Sequence, residues 1–227
     1  MVRASSKASR TPTGNRLTRA SLVEGADVLR RRDRRLGSWI ERIGNVSLRR
    51  QRSHFVALCR SIIAQQLASA AAATIFARFA ALFEPDGKPT PEAVLGQSQA
   101  KLRACGLSQQ KIRYLLALAT AFADGDLACV RVSTLADEEV SERLTQVPGI
   151  GVWTAEMFMI FALGRLDVFS VGDLALRNAV QRVEGKELSK DQILKVAERW
   201  SPYRSVASLY LWRVAHWPSE SSDKSSG

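Results

Sequence analysis

Cysteine is scarce in this chain. Cys59, Cys105 and Cys129 are its three copies, far apart and odd in number, and no Cys-x-x-Cys pair occurs. A zinc site or an iron–sulfur cluster built from them is therefore excluded, and they read as small buried residues of a reducing compartment. Long apolar runs are missing too: none reaches the roughly 20 residues of a membrane span, and no apolar segment follows the first Arg and Lys as a secretory signal requires. The alternation of apolar and polar residues that marks a β-strand is absent. The first 20 residues contain no acid; they are rich in Ser, Thr and Arg, a composition shared by organelle transit peptides and by ordinary disordered tails.

What is present is basic charge. The 227 residues carry a formal net charge of +11, which points to a polyanionic partner such as DNA or RNA. Its distribution is uneven. Residues 1–35 hold ten Lys or Arg against three acids, which leaves +4 for the remainder. The charge alone therefore does not establish a basic face on the folded part.

Helical periodicity dominates from residue 21 onward. Ser21 and Glu24 have the spacing of a capping box, which predicts a helix to about residue 34. A short helix over 39–43 is expected after Gly37. Residues 53–83 form the longest apolar-periodic stretch, with Phe55, Leu58, Ile62 and Ile63, then Ile75, Phe79 and Leu82, at helical spacing. A polar break at 64–69 separates the two halves. The Pro/Gly-rich 84–91 is expected as a loop. Further helices are expected over 98–105, from Ser108 to about 123, and over 138–146, 152–163, 189–200 and 202–217, with another starting at Asp173. The fold class is thus all-α, with a basic tail over 1–20, a helical domain over 21–217 and a polar tail over 218–227.

The most informative unit is helix, Val147-Pro-Gly-Ile-Gly151, helix. Pro148 fixes one φ angle, while Gly149 and Gly151 permit conformations and approaches that a Cβ would forbid. Such a turn presents backbone N–H groups at a helix start, an arrangement suited to a DNA phosphate. The contact is blind to sequence, so it positions rather than specifies. The candidate DNA contacts here are Val147, Gly149, Gly151 and Thr154. A plain tight turn between packed helices has the same residues. Asp173, at a later helix start, is either a capping acid or a catalytic carboxylate.

Four segments together resemble a known family. Leu144-Thr-Gln-Val-Pro-Gly-Ile-Gly-Val-Trp-Thr-Ala-Glu-Met157 is similar to the hairpin of helix-hairpin-helix base-excision glycosylases, and Asp167-Val-Phe-Ser-Val-Gly-Asp173-Leu-Ala-Leu176 to the segment carrying their catalytic aspartate. Trp200-Ser-Pro-Tyr-Arg-Ser-Val-Ala-Ser-Leu-Tyr-Leu-Trp212 resembles the C-terminal helix of the alkylation-repair branch, 3-methyladenine-DNA glycosylase II. Ile62-Ile-Ala-Gln-Gln-Leu-Ala-Ser69 resembles that branch's strand-separating loop.

The resemblance implies a two-lobed helical fold with the active site in the cleft between lobes, in a compact form without an N-terminal β-domain. It implies base flipping in damaged duplex DNA, with Asp173 stabilising positive charge on the sugar and orienting water. Trp153 and Trp212 match positions of aromatic pocket walls. Tyr210, Met157 and Leu174 are further pocket candidates. Gln65, Gln66 or Leu67 would fill the gap left by the extruded base, Gln66 aligning best. Bifunctional relatives carry a Schiff-base lysine where this chain has Trp153, and residues 147–173 contain no lysine, so base removal without strand cleavage is expected. No cofactor is required. A structural Na+ or K+ on the backbone carbonyls of Thr145, Val147 and Ile150 is what the resemblance offers. The expected partner is duplex DNA and not a membrane, for a monomer in the bacterial cytoplasm or nucleoid, or in a eukaryotic nucleus. The alternatives are a glycosylase for another damaged or mismatched base, and a non-catalytic DNA-binding module.

Overall fold

A computed structural model describes residues 16–85, 87–127 and 129–218. The described chain is helical. Its nearest approach to a sheet is an isolated antiparallel bridge between Arg16 and Arg165. Residues 1–15 of the expected basic tail, residues 219–227 of the expected polar tail and the side chain of Cys129 lie outside the described residues.

The chain begins with α1 (Arg19–Arg32) and α2 (Arg34–Ile43). Thr18 caps α1, with Ser21 as its reciprocal partner. The capping box thus lies three residues earlier than the Ser21–Glu24 pair suggested. Leu17 is buried and its N–H donates to the Gly164 carbonyl at 2.7 Å, so the expected tail boundary at residue 20 falls too late. Asp33 ends α1 and caps α2, accepting from the N–H groups of Arg35 and Leu36, both at 3.1 Å. Gly37 does not precede a helix but lies within α2. A Cβ there would come within 2.8 Å of the Arg30 carbonyl oxygen, so this glycine serves the tight corner between α1 and α2.

Residues 50–163 form one compact unit. It contains α3 (His54–Ala64), α4 (Ser69–Ala81), α5 (Pro91–Leu95), α6 (Gln99–Ala104), α7 (Gln109–Ala123), α8 (Cys129–Thr134), α9 (Asp137–Thr145) and α10 (Val152–Phe158). Ser53, Thr90, Ser98 and Ser108 each accept a backbone N–H at a helix start. The apolar stripe of α3 (Phe55, Leu58, Ile62, Ile63) packs on that of α7 (Ile112, Leu115, Leu118), all buried. Phe55 meets Phe122 edge-on at 5.2 Å. Beyond α10 the chain widens into a π-turn, Met159–Leu163. Arg50 holds its end by donating to the Ala162 and Leu163 carbonyls at 3.0 and 3.1 Å.

Residues 16–49 and 164 onward form a second unit from both ends of the sequence. It adds α11 (Leu174–Glu184), α12 (Lys190–Glu198) and α13 (Arg204–Ala215). Its core centres on Trp200, fully buried, whose indole N–H donates to Asp33 Oδ2 at 2.8 Å. A buried indole N–H needs such an acceptor. Glu184 pairs with both Arg35 and Arg199, fastening α11 to α2.

Candidate active site and DNA interface

The hairpin connects α9 to α10 through residues 146–151. Leu144, Val147 and Ile150 are buried and anchor it. Two short bonds close the turn: Val147 N–H to Leu144 O at 3.1 Å and Ile150 N–H to Val147 O at 3.0 Å. Val147 therefore spends its side chain and its N–H on the turn, which removes it from the candidate DNA contacts. Gly149 has a φ of +90°, and a Cβ on it would lie 2.2 Å from Tyr114 Cδ2. The ring of Tyr114 thus requires glycine at this place. Gly151 caps α10 without a side chain, and the first helical bond is Ala155 N–H to Gly151 O at 3.0 Å. The N–H groups of residues 152–154 precede that bond and point out of the helix start. Thr154 has a buried side chain, so its contribution to an anion site is limited to its backbone.

The expected strand-separating loop lies beside the hairpin in the same unit. Gln65, Gln66, Ser108, Gln110, Lys111, Tyr114 and the turn's glycines line a recess of about 380 Å³. The three loop candidates differ in fate. Gln65 donates from Nε2 to the Gly149 carbonyl at 2.7 Å, so it ties loop to hairpin. Gln66 is exposed with a φ of +58°, the left-handed region. Leu67 is 38% exposed, and its N–H returns to Ala64 O. Lys111 donates from Nζ to the carbonyls of Ile63 and Gln65 at 2.6 and 2.8 Å, and burial lowers its pKa. Sequence reasoning missed Lys111 and Tyr114. Gly149 signals a close approach but does not name the ring that makes it, and a single lysine on an amphipathic helix has no distinguishing period.

Asp173 sits at the start of α11 as its N-cap. Its Oδ1 accepts the Leu176 N–H at 2.9 Å, and the residue is 8% exposed. The cap fixes the direction of the carboxylate. The segment leading to it, 165–172, is sewn down along its length. Leu166, Val168, Phe169 and Ser170 are buried. Ser205 accepts the Val168 N–H at 3.0 Å, and its own N–H reaches Leu166 O at 3.0 Å. Arg177 donates to the carbonyls of Val171 and Gly172, the two residues before Asp173, at 2.9 and 3.0 Å. Asp167, the other acid considered, binds Arg204 through both oxygens and accepts from Ser201 Oγ at 2.8 Å. Burial pushes its pKa up, but the Arg204 and Ser201 bonds outweigh that and hold it below the ordinary carboxylate value. Asp167 therefore braces the start of α13.

The aromatic candidates divide. Trp153, second residue of α10, is 47% exposed. Met157, one turn on, and Trp212, on α13, are half-buried. Leu174, directly after Asp173, is 62% exposed. Tyr210 is corrected: it is 2% exposed and its hydroxyl donates to the Gly44 carbonyl at 3.1 Å, which places it in the core of the second unit. Cys59 and Cys105 are buried free thiols whose pKa values burial raises. Among the described residues, no cluster of His, Cys, Asp and Glu could hold a metal ion, and no helix is long and apolar enough to cross a membrane.

Comparison with known proteins gives consistent results. Residues 59–202 match the family described as HhH-GPD superfamily base excision DNA repair protein. DNA-3-methyladenine glycosylase 1 of Schizosaccharomyces pombe is 39% identical over 161 residues, 70% of this chain and 71% of that protein. The crystal structure of a DNA-3-methyladenine glycosidase from Bacillus halodurans superposes with a TM-score of 0.78 at 36% identity, covering 84% of this chain and 88% of the other. The solved structure of a Schizosaccharomyces pombe 3-methyladenine DNA glycosylase in complex with abasic DNA gives 0.77 at 34% identity, covering 86% of this chain and 97% of the other.

Proposed function

Because the chain belongs to the HhH-GPD superfamily of base excision DNA repair proteins, we propose that it removes alkylated purines from duplex DNA by hydrolysis. The observation that carries this reading is Asp173, a largely buried carboxylate whose direction is set by a helix cap and whose approach segment is pinned on both sides. Purines alkylated at N3 or N7 carry positive charge, so the base leaves readily. As the C1′–N bond breaks, its electron pair departs with the base, which becomes neutral. The sugar becomes cationic at C1′. A fixed carboxylate stabilises that charge and orients the water that adds there, the water's proton passing to Asp173 or to solvent. No acid is needed on the leaving base, which fits a site offering one pinned carboxylate.

The remaining parts follow from the same chemistry. The hairpin's N–H groups receive a phosphate, and Gln66 takes the place of the extruded base. Trp153 and Trp212 offer π-faces to a cationic base, with Met157 and Leu174 beside them in sequence. Trp153 stands where a Schiff-base lysine would be needed, so the product is an intact strand with an abasic site. Should the hairpin hold an ion, the neutral carbonyls of Thr145, Val147 and Ile150 suit Na+ or K+ better than a divalent cation, and its charge would add to phosphate binding. The enzyme acts as a single copy wherever the cell keeps its DNA: the bacterial cytoplasm or nucleoid, or the eukaryotic nucleus.

The test is incubation with duplexes carrying 3-methyladenine or 7-methylguanine. Free base, strand breaks only after alkali, and no borohydride-trapped adduct are expected. Retained DNA binding with no base released from either lesion would leave only a binding module.

A further inference from the structure

The separating loop is held in a conformation that it would not adopt alone. Gln66 is the one non-glycine residue with positive φ among the described residues, a region that L side chains avoid. It follows Gln65, the C-cap of α3, where the last helical carbonyls lack helical partners and the dipole is negative. Lys111 fills that position from α7. Its ammonium donates to the carbonyls of Ile63 and Gln65 at 2.6 and 2.8 Å, bracketing the turn just before Gln66. Leu67 N–H closes onto Ala64 O at 3.2 Å, and Gln65 Nε2 reaches the Gly149 carbonyl at 2.7 Å. Every one of these bonds leaves the Gln66 side chain itself uncommitted to the staple and displayed at the surface.

We propose that Lys111 is a positioning residue for base extrusion: it staples the end of α3 so that Gln66 stands ready to enter the duplex. The Gln65–Gly149 bond fixes that wedge relative to the phosphate-holding turn. The proposal rests on the reading of Gln66 as the wedge. It adds a cation acting on the protein backbone, not on DNA, as the device that presets the wedge before DNA arrives. Preorganisation of this kind lowers the ordering cost of the flipping step. Removing Lys111 frees two buried-edge carbonyls and lets position 66 relax to an ordinary conformation.

The experiment is a double-mutant cycle read by single-turnover release of 7-methylguanine from duplex DNA. It uses wild type, Lys111→Met, Gln66→Ala and the double variant, with Lys111→Arg as rescue. Each single change is expected to slow release about tenfold. The double variant is expected to be no slower than Gln66→Ala, because the lysine acts through the wedge. Lys111→Arg, which also offers several N–H donors, should recover to within about threefold of wild type. Additive losses of about a hundredfold in the double variant would mean that Lys111 serves general stability, and would overturn the proposal. So would a wild-type rate for Lys111→Met, or for Gln66→Ala. A wild type that releases no base would instead remove the proposed function itself.

Discussion

Tyr114 occupies the space that any side chain at position 149 would need. Gly149→Ala combines a Cβ clash at 2.2 Å with a φ of +90°, so it should cost about 2–4 kcal/mol, seen as a lower urea midpoint. Adding Tyr114→Ala should recover part of that loss, since the ring is half of the conflict. Trp153 behaves oppositely. At 47% exposure it contributes little to the core, so Trp153→Ala should leave the midpoint nearly unchanged. It should instead reduce kcat/KM for a cationic lesion about tenfold, the worth of one lost stacking face. Of the hairpin glycines, Gly151 has an ordinary φ of −94° and open space where a Cβ would stand, and only the close approach at Gly149 was legible in the sequence. Tyr210 was not: Trp212 and Tyr210 are neighbours on one helix, but α13 turns them to different surroundings, and no sequence pattern tells which face is inward when every residue from 205 to 211 is buried.

At the level of elements, two short helices escaped, one of them although Thr90 caps it, while the six-residue α6, capped by Ser98, did not. α5 and α8 have five and six residues, under two turns, too few for a period to show. The starts at Ser53, Ser98, Ser108 and Ser189 announce themselves because their side chains do the capping. The segment 165–172 reads as irregular and is so, but beside the nearby Arg177 what stiffens it comes from far along the chain: Ser205 and the Asp167–Arg204 pair. Asp167 has its pKa lowered in the folded state. The stability it supplies is therefore present above the unfolded carboxylate value near 4 and is lost as pH falls through the folded value. Asp167→Asn should cost about 1–2 kcal/mol at pH 7, discounted for the partly exposed Arg204. The difference from wild type should shrink below pH 4, as checked by urea unfolding at the two pH values. An unchanged difference at pH 3 would place the loss in packing and not in the ion pair.

For the whole molecule, the sequence order hides the assembly. Periodicity reports faces of single helices, so it did not reveal that the second unit takes residues 16–49 from the beginning and residues from 164 onward. The consequence is practical. Deleting residues 1–20 should lower the thermal midpoint, because buried Leu17 and the α1 cap Thr18 are lost. If Arg3, Lys7 and Arg10 touch phosphates, deleting residues 1–15 should flatten the salt dependence of DNA binding by at most about three log units per decade of salt. The role proposed for Asp173 is to stabilise the cationic sugar as the bond breaks, beyond capping α11. The most direct measurement compares single-turnover release of 7-methylguanine by wild type and Asp173→Asn, beside the affinity of each for undamaged duplex. Asparagine can still cap α11 through its side-chain oxygen, so folding and binding should survive while release slows by about 10²–10⁴. An Asp173→Asn variant that releases base at the wild-type rate would contradict the account.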